Sequence, residues 1–272
     1  MAMADLLVII TDVLLRTVFV VYFPRSFLNI TPVCSTNVVL AFAATLSSDW
    51  FTVAFTLDRF LAICYQNVKI KYCTERTATV IMGIVSVFSC LISVPWYFTM
   101  GPEYNMDNIP RGCVLKQAFL NLTSWASFEL LTYSLIAWFP FFLLMLLNSL
   151  TARHILMSGR VRRGLRGRNT GDNDPEMENR RKSVVLLFCI SGSFLLLWST
   201  EVIYVLSERV FGIPYVKGSD FESVGFMLQV LSTCTNTVIY VLTQNKFREQ
   251  MKSAVRCPIY LIVKLLKTRN AS

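Results

Sequence analysis

The chain has 272 residues, 54% of them hydrophobic and 16% charged, with a positive mean hydropathy; a soluble core of this length could not hide so much apolar surface, which excludes a soluble enzyme or binding domain. The net charge of +9 would suit a nucleic-acid partner, but its distribution explains it without one. Of 26 Lys and Arg, four fall in 59–76, nine in 152–182 and seven in 244–272, segments that the positive-inside rule assigns to the cytoplasm.

Apolar stretches at about 1–23, 35–64, 77–98, 127–152, 183–207 and 222–243 predict six membrane-spanning helices in a single transmembrane domain covering 1–272, an all-α membrane protein. The first opens at Met1 without a basic n-region and carries Asp5 and Asp12, so it reads as a retained helix rather than a cleaved signal. The second has Cys34 at one end and Asp58-Arg59-Phe60 at the other. As a helix, Cys34 to Arg59 covers about 37 Å, enough for a bilayer core of about 30 Å. An acid followed by an arginine is costly in hydrocarbon, so that pair belongs where the helix meets cytoplasmic water, and Cys34 faces outside.

The sequons Asn29-Ile30-Thr31 and Asn121-Leu122-Thr123 then lie in external loops, making Asn29 and Asn121 glycosylation candidates, while Asn270 in the cytoplasmic tail should stay unmodified. Cys34 and Cys113 are the cysteines on the outer side, where an oxidising compartment permits a disulfide. The single histidine, His154, sits beside Arg153 at the inner end of the fourth span and reads as an interfacial residue, not a ligand or base. Residues 159–182, rich in Gly, Arg, Asn and Asp, read as a flexible loop. Over about 245–256, Phe247 and Met251 alternate with Lys246, Arg248 and Lys252, the pattern of a short amphipathic helix on the inner leaflet. Cys257 follows, and an acylation site and an ordinary free thiol are equal readings of it. Internal repeats, inverted hydropathy symmetry, a Gly-rich filter loop and arginine at every third position of a span are all absent from the sequence, which leaves transporters, channels and voltage sensors without support.

Read together, these residues resemble the rhodopsin-like G-protein-coupled receptors over essentially the whole chain. Asp58-Arg59-Phe60 resembles their Asp-Arg-Tyr at the inner end of the third helix, and Asp5-Leu6-Leu7 resembles part of their second. Pro140 falls in the fifth, Phe194 and Trp198 in the sixth, and Asn236-Thr237-Val238-Ile239-Tyr240 is similar to the Asn-Pro-x-x-Tyr of the seventh. The details look most like the orphan receptors responding to aromatic amino acids, which stand near the neuropeptide receptors: Asn148 follows Pro140 by eight residues, and Thr237 replaces the seventh-helix proline. Met1 stands where the second helix of the family begins, so a first helix is expected upstream in a complete seven-span receptor.

The resemblance implies a bundle of seven helices, a Cys34–Cys113 disulfide, and coupling to a heterotrimeric G protein through Asp58, Arg59, Phe60, Asn148 and Tyr240. Arg59, released from Asp58, would contact the G protein's carboxy-terminal helix once the sixth helix moves outward. The region where many relatives carry an acid that locks this arginine reads Arg180-Arg181-Lys182 here, which predicts basal signalling. Asp5, Ser48, Ser232 and Asn236 correspond to the family's sodium-binding core, with Trp198 nearby; no cofactor beyond such a structural sodium ion is expected. Asp49 is unusual for the family at its depth. Ala41 stands where amine receptors have an aspartate, which argues against an amine ligand of that kind. The ligand pocket is expected from Phe42, Thr45, Trp198, Glu201, Tyr204, Phe226 and Gln229, with Arg16 and Glu129 near its rim. Glu201 suits an amine or guanidinium group on a small molecule or peptide. The expected partners are an extracellular ligand, a G protein and membrane lipids, in the plasma membrane, with no enzymatic chemistry. The alternative is a non-signalling six-span fragment that associates with full-length receptors and retains them inside the cell.

Overall fold

Many small and polar side chains are buried in this molecule while many large apolar ones face outward, as in a bundle surrounded by lipid. The structure, a computed structural model, describes residues 2–23, 26–65, 73–104, 110–116, 123–165, 184–185, 188–200, 202–203, 220–243 and 249. Helix α1 (Ala2–Val8) passes without a break into a π-helical segment (Ile9–Val18) and then α2 (Phe19–Tyr22), making the first apolar stretch one continuous helix. There follow α3 (Thr31–Cys64), α4 (Glu75–Ser93), α5 (Pro95–Thr99) and an antiparallel hairpin of β1 (Met100–Tyr104) and β2 (Pro110–Leu115). Next come α6 (Thr123–Tyr133), a second π-helical segment (Ser134–Trp138), α7 (Phe139–Leu165), α8 (Phe188–Thr200) and α9 (Asp220–Thr243).

Thr31–Cys64, Glu75–Thr99 and Ser124–Ile155 are each long and apolar enough to cross a bilayer, and Phe188–Thr200 and Ser223–Thr235 are shorter apolar helices. Helix α3 starts at Thr31 rather than near 35 because Pro32, with no N–H to satisfy, is tolerated in a first turn. Helix α4 starts two residues before the expected 77, capped by the Thr74 hydroxyl, which accepts from the Thr77 amide at 3.2 Å. The larger correction concerns α7. It runs to Leu165, so the front of the segment read as a flexible loop is helical: arginine and leucine are good helix formers, and extending an existing helix costs less than starting one. The rest of that segment, and the amphipathic stretch apart from Glu249, lie outside the described residues.

Helix α3 is the centre of the bundle, packing on α1 and its π segment, on α4 and α5, on α7, and on the hairpin at its outer end. Ala41, Ala44, Thr45, Ser48, Thr52 and Thr56 are buried along it, small enough for neighbouring backbones to approach closely. Its hydroxyls are consumed locally: Thr52 donates to the Ser48 carbonyl at 3.1 Å and Thr56 to the Thr52 carbonyl at 2.8 Å. On α4 the pattern repeats, with Ser89 and Ser93 buried while Ile84, Val87 and Leu91 face outward. Two apolar clusters close the interior. Leu46 and Val53 of α3 meet Ile136, Leu144, Phe194 and Trp198, and Val38 meets Trp96 and Trp125.

The second π segment shows how one residue reshapes a helix in lipid. Its π geometry sends the Phe139 amide to the Ser134 carbonyl, five residues back, where an α-helix would have used Leu135. The next amide in line for the Leu135 carbonyl is residue 140, and Pro140 has none. The indole Nε1 of Trp50 on α3 donates to that carbonyl at 2.9 Å, so a backbone acceptor that hydrocarbon could not solvate is satisfied across the helix interface. Trp50→Phe should therefore lower stability in detergent by about 1–3 kcal/mol, the cost of leaving a buried acceptor unpaired. Pro140→Ala restores an amide, so the double variant should lose less than the sum of the single losses in a thermal-unfolding cycle.

Candidate functional site

The residues singled out from the sequence fall at three levels along α3. At the inner end, Arg59 makes an ion pair with Asp58 at 3.3 Å, both side chains being more than a third exposed. Its guanidinium also lies over the Phe55 ring, 5.1 Å from the centroid. Such an exposed pair is worth about 0–1 kcal/mol and the ring contact about 0.5–1 kcal/mol. Arg59 is thus held by contacts weak enough to exchange. Phe60 packs edge-on to Tyr65 at 5.8 Å. Across the interface, Asn148 of α7 is buried and its side-chain oxygen accepts from the Ser191 hydroxyl of α8 at 2.9 Å. This ties two helices together at a depth where water cannot compete. Tyr240 lies on α9, its side chain outside the described residues.

One level outward, Asp5, Ser48, Asp49 and Ser232 are all buried. The Ser48 hydroxyl donates to one oxygen of Asp5, and Asp49 is close enough for the two carboxylates to interact. The second oxygen of each has no hydrogen-bond partner among the described residues. An all-oxygen environment of a buried carboxylate and a serine hydroxyl is of the chemistry that a small hard cation such as sodium takes. Asn236 is placed on α9, its side chain outside the described residues.

At the outer level Phe42 packs against the cluster that holds Trp198, while Thr45 is buried on the same helix and faces Asp12. Trp198 is 2% exposed, stacks on Phe194 with centroids 5.5 Å apart, and packs in the same cluster that Phe42 touches. It is therefore a core residue, with almost none of its surface open. Phe42 stacks on Trp96 at 4.3 Å, Trp96 meets Trp125 edge-on at 4.9 Å, and Phe128 follows. Phe226 and Gln229 are half-buried on α9, which packs on α1 and its π segment. Glu129 is half-buried on α6, and Glu201 and Tyr204 lie outside the described residues.

Sequence reasoning missed Asp12, Asn37, Trp96 and Trp125. Asp12 is buried in the π segment, where Arg16 donates to it at 3.2 Å and Thr45 of α3 lies within hydrogen-bonding reach. Asn37 donates to the Thr11 carbonyl of the same segment at 3.1 Å. An ionisable residue inside an apolar span is by itself a pointer to function, and that signal was present at Asp12. Regular helical spacing could not place it, because the π turn shifts which residues face α3.

At the outer surface Cys34 is disulfide-bonded, and β2, which carries Cys113, packs against α3. Asn29 is buried, with its side-chain nitrogen, the atom a glycan would occupy, donating to the Phe23 carbonyl at 3.4 Å. Asn121 lies outside the described residues.

Comparison with known proteins accounts for this layout. The family described as 7 transmembrane receptor (rhodopsin family) matches residues 1–240, and the chain belongs to that family. It is 23% identical over 213 residues to the C-C chemokine receptor type 1 of Macaca fascicularis, covering 76% of this chain and 55% of the relative. It is 25% identical over 228 residues to the probable G-protein coupled receptor 142 of Mus musculus, covering 82% and 54%. The thyrotropin-releasing hormone receptor of Ovis aries is 23% identical over 281 aligned positions, covering 94% and 68%. The chain thus spans about half the length of the first two of these curated relatives. Two of the three are named for different ligands and one for none, so membership is established at the level of the family.

The Asn148–Ser191 bond supplies the sharpest test of the inner geometry. Ser191→Ala should cost about 1 kcal/mol. It should also raise amide hydrogen exchange in 188–200 while leaving exchange in 31–64 unchanged, as read by mass spectrometry.

Proposed function

We propose that this chain acts as a receptor at the plasma membrane, binding an extracellular small molecule or peptide and activating a heterotrimeric G protein. The observation that carries the reading is the state of Arg59: a cation at the inner end of the central helix, held by Asp58 and the Phe55 ring through contacts of small net worth. A partner that binds the released arginine better needs only modest differential affinity to shift it. Asn148 and Ser191 bridge the two helices that must part for such a partner to enter, and Tyr240 would join Asp58, Arg59, Phe60 and Asn148 at the coupling face. The sequence Arg180-Arg181-Lys182 offers no acid to restrain Arg59 further.

In this reading Asp5, Ser48, Ser232 and Asn236 hold a sodium ion, with Asp49 beside them. When bound, the ion supplies the positive charge that a buried carboxylate requires. The ligand pocket is built from Phe42, Thr45, Trp198, Glu201, Tyr204, Phe226 and Gln229. A Cys34–Cys113 bridge anchors the hairpin over its mouth. The chain carries out no bond chemistry of its own.

Reconstituted in nanodiscs with purified heterotrimers of each Gα class, the protein should accelerate nucleotide exchange without ligand, and Arg59→Ala should reduce that rate tenfold or more. Exchange no faster than with empty discs, for every class, would overturn the proposal. A ligand bearing an amine or guanidinium should lose about tenfold or more in potency on Glu201→Gln, the loss expected for a charge-assisted hydrogen bond.

A further inference from the structure

The inner ends of α3 and α7 flank a feature that shares Phe60 with the coupling face and is otherwise built from residues with no role assigned above. A cavity of about 270 Å³, open to one side, lies between Phe60 and Cys64 on the last turn of α3 and Leu150, Arg153, His154 and Met157 on α7. Arg59 is not part of its lining. The α7 residues recur at three- and four-residue spacing, so they form one stripe along that helix. The stripe changes character with depth. Leu150 lies toward the membrane interior, while Arg153 and His154 lie a turn closer to the cytoplasmic end, beside Tyr65.

Arg153 and His154 are both exposed, and neither has an acidic partner among the described residues. A guanidinium with five donors in a planar fork, an imidazole and a phenol at one rim form a set of donors suited to a phosphate, which a guanidinium can grip through two parallel bonds. On the membrane side of that rim the walls are the Phe60 ring and the Leu150 side chain, a surface for hydrocarbon, and Met157 lies a turn beyond it toward the cytoplasm. Basic pockets between helices on the cytoplasmic side are where charged lipid headgroups bind. The basic residues of 152–182 add to the local attraction for the anionic leaflet.

We infer that this cavity is a binding site for a phosphate-bearing lipid of the inner leaflet. The phosphate is held by Arg153, His154 and Tyr65, and one acyl chain runs over Phe60 and Leu150. The site abuts Asp58-Arg59-Phe60 through Phe60 itself, so its occupant would brace the seam between α3 and α7.

The test uses the full chain in phosphatidylcholine nanodiscs doped with a photoactivatable phosphatidylinositol phosphate, with labelled peptides mapped by mass spectrometry. Labelling should concentrate in 60–65 and 150–157 and fall at least tenfold in the Arg153→Gln/His154→Gln double variant. Both side chains are exposed, so an unchanged thermal midpoint is expected of that variant. Leu150→Trp, which fills the apolar end, should also reduce labelling. A short-chain phosphatidylinositol phosphate should compete, whereas free inositol phosphate at the same concentration should not. Labelling spread evenly over the helices, or unchanged in the double variant, would overturn the inference. Equal competition by free inositol phosphate would also overturn it, by assigning the rim to a soluble phosphate.

Discussion

Everything in this bundle depends on one constraint: within hydrocarbon, a polar group must find its partner inside the protein. Helix α3 meets it along most of its buried face, one oxygen each of Asn37 and Asp49 excepted. Its threonines return their hydroxyls to carbonyls one turn back, Ser48 donates to Asp5, Asn37 reaches the Thr11 carbonyl, and Trp50 takes the carbonyl that Pro140 leaves without an amide. Each bond crossing to a neighbour also fixes that neighbour's depth and rotation. Apolar packing alone would not do so in a solvent as apolar as the side chains themselves.

The same face sets the order of the candidate sites. Phe42 and Thr45, then Ser48 and Asp49, then Asp58 and Arg59 lie on a single uninterrupted helix. From Thr45 to Arg59 the rise is about 21 Å. A rigid element of that length can carry a small rotation from its outer end to its inner end without an intermediate relay. The contacts at its two ends differ in kind. The outer end is locked by a disulfide at Cys34 and by stacked aromatic rings, whereas the inner end rests on an exposed ion pair and one ring contact. Compliance is therefore concentrated at the cytoplasmic end.

Much of this was legible in the sequence. Apolar runs long enough to cross a bilayer announced α3, α4 and α7 because lipid demands length and hydropathy together, and Asp58-Arg59-Phe60 announced its own position because charge cannot stay in hydrocarbon. The buried state of Asp5, Ser48 and Asn148 followed from polar residues in apolar surroundings. What escaped was everything that depends on rotation about a helix axis. The aromatic contacts of Trp96 and Trp125 join residues far apart in the chain, and no local pattern encodes them. The length of α7 escaped because Gly159 and Gly164 looked like helix breakers, while a helix already formed upstream absorbs them.

The π-helical segment Ile9–Val18 carries a consequence for how this chain is aligned with its relatives. A π turn accommodates one extra residue for the same advance, so every side chain beyond it is turned by about 100° relative to an unbulged helix. A gap-free alignment of this stretch with an unbulged helix is correct on one side of the bulge and out of phase on the other. Positions counted from such a helix onto Asp12 or Arg16 would land on the wrong azimuth, whereas Asp5, which precedes the bulge, keeps its phase.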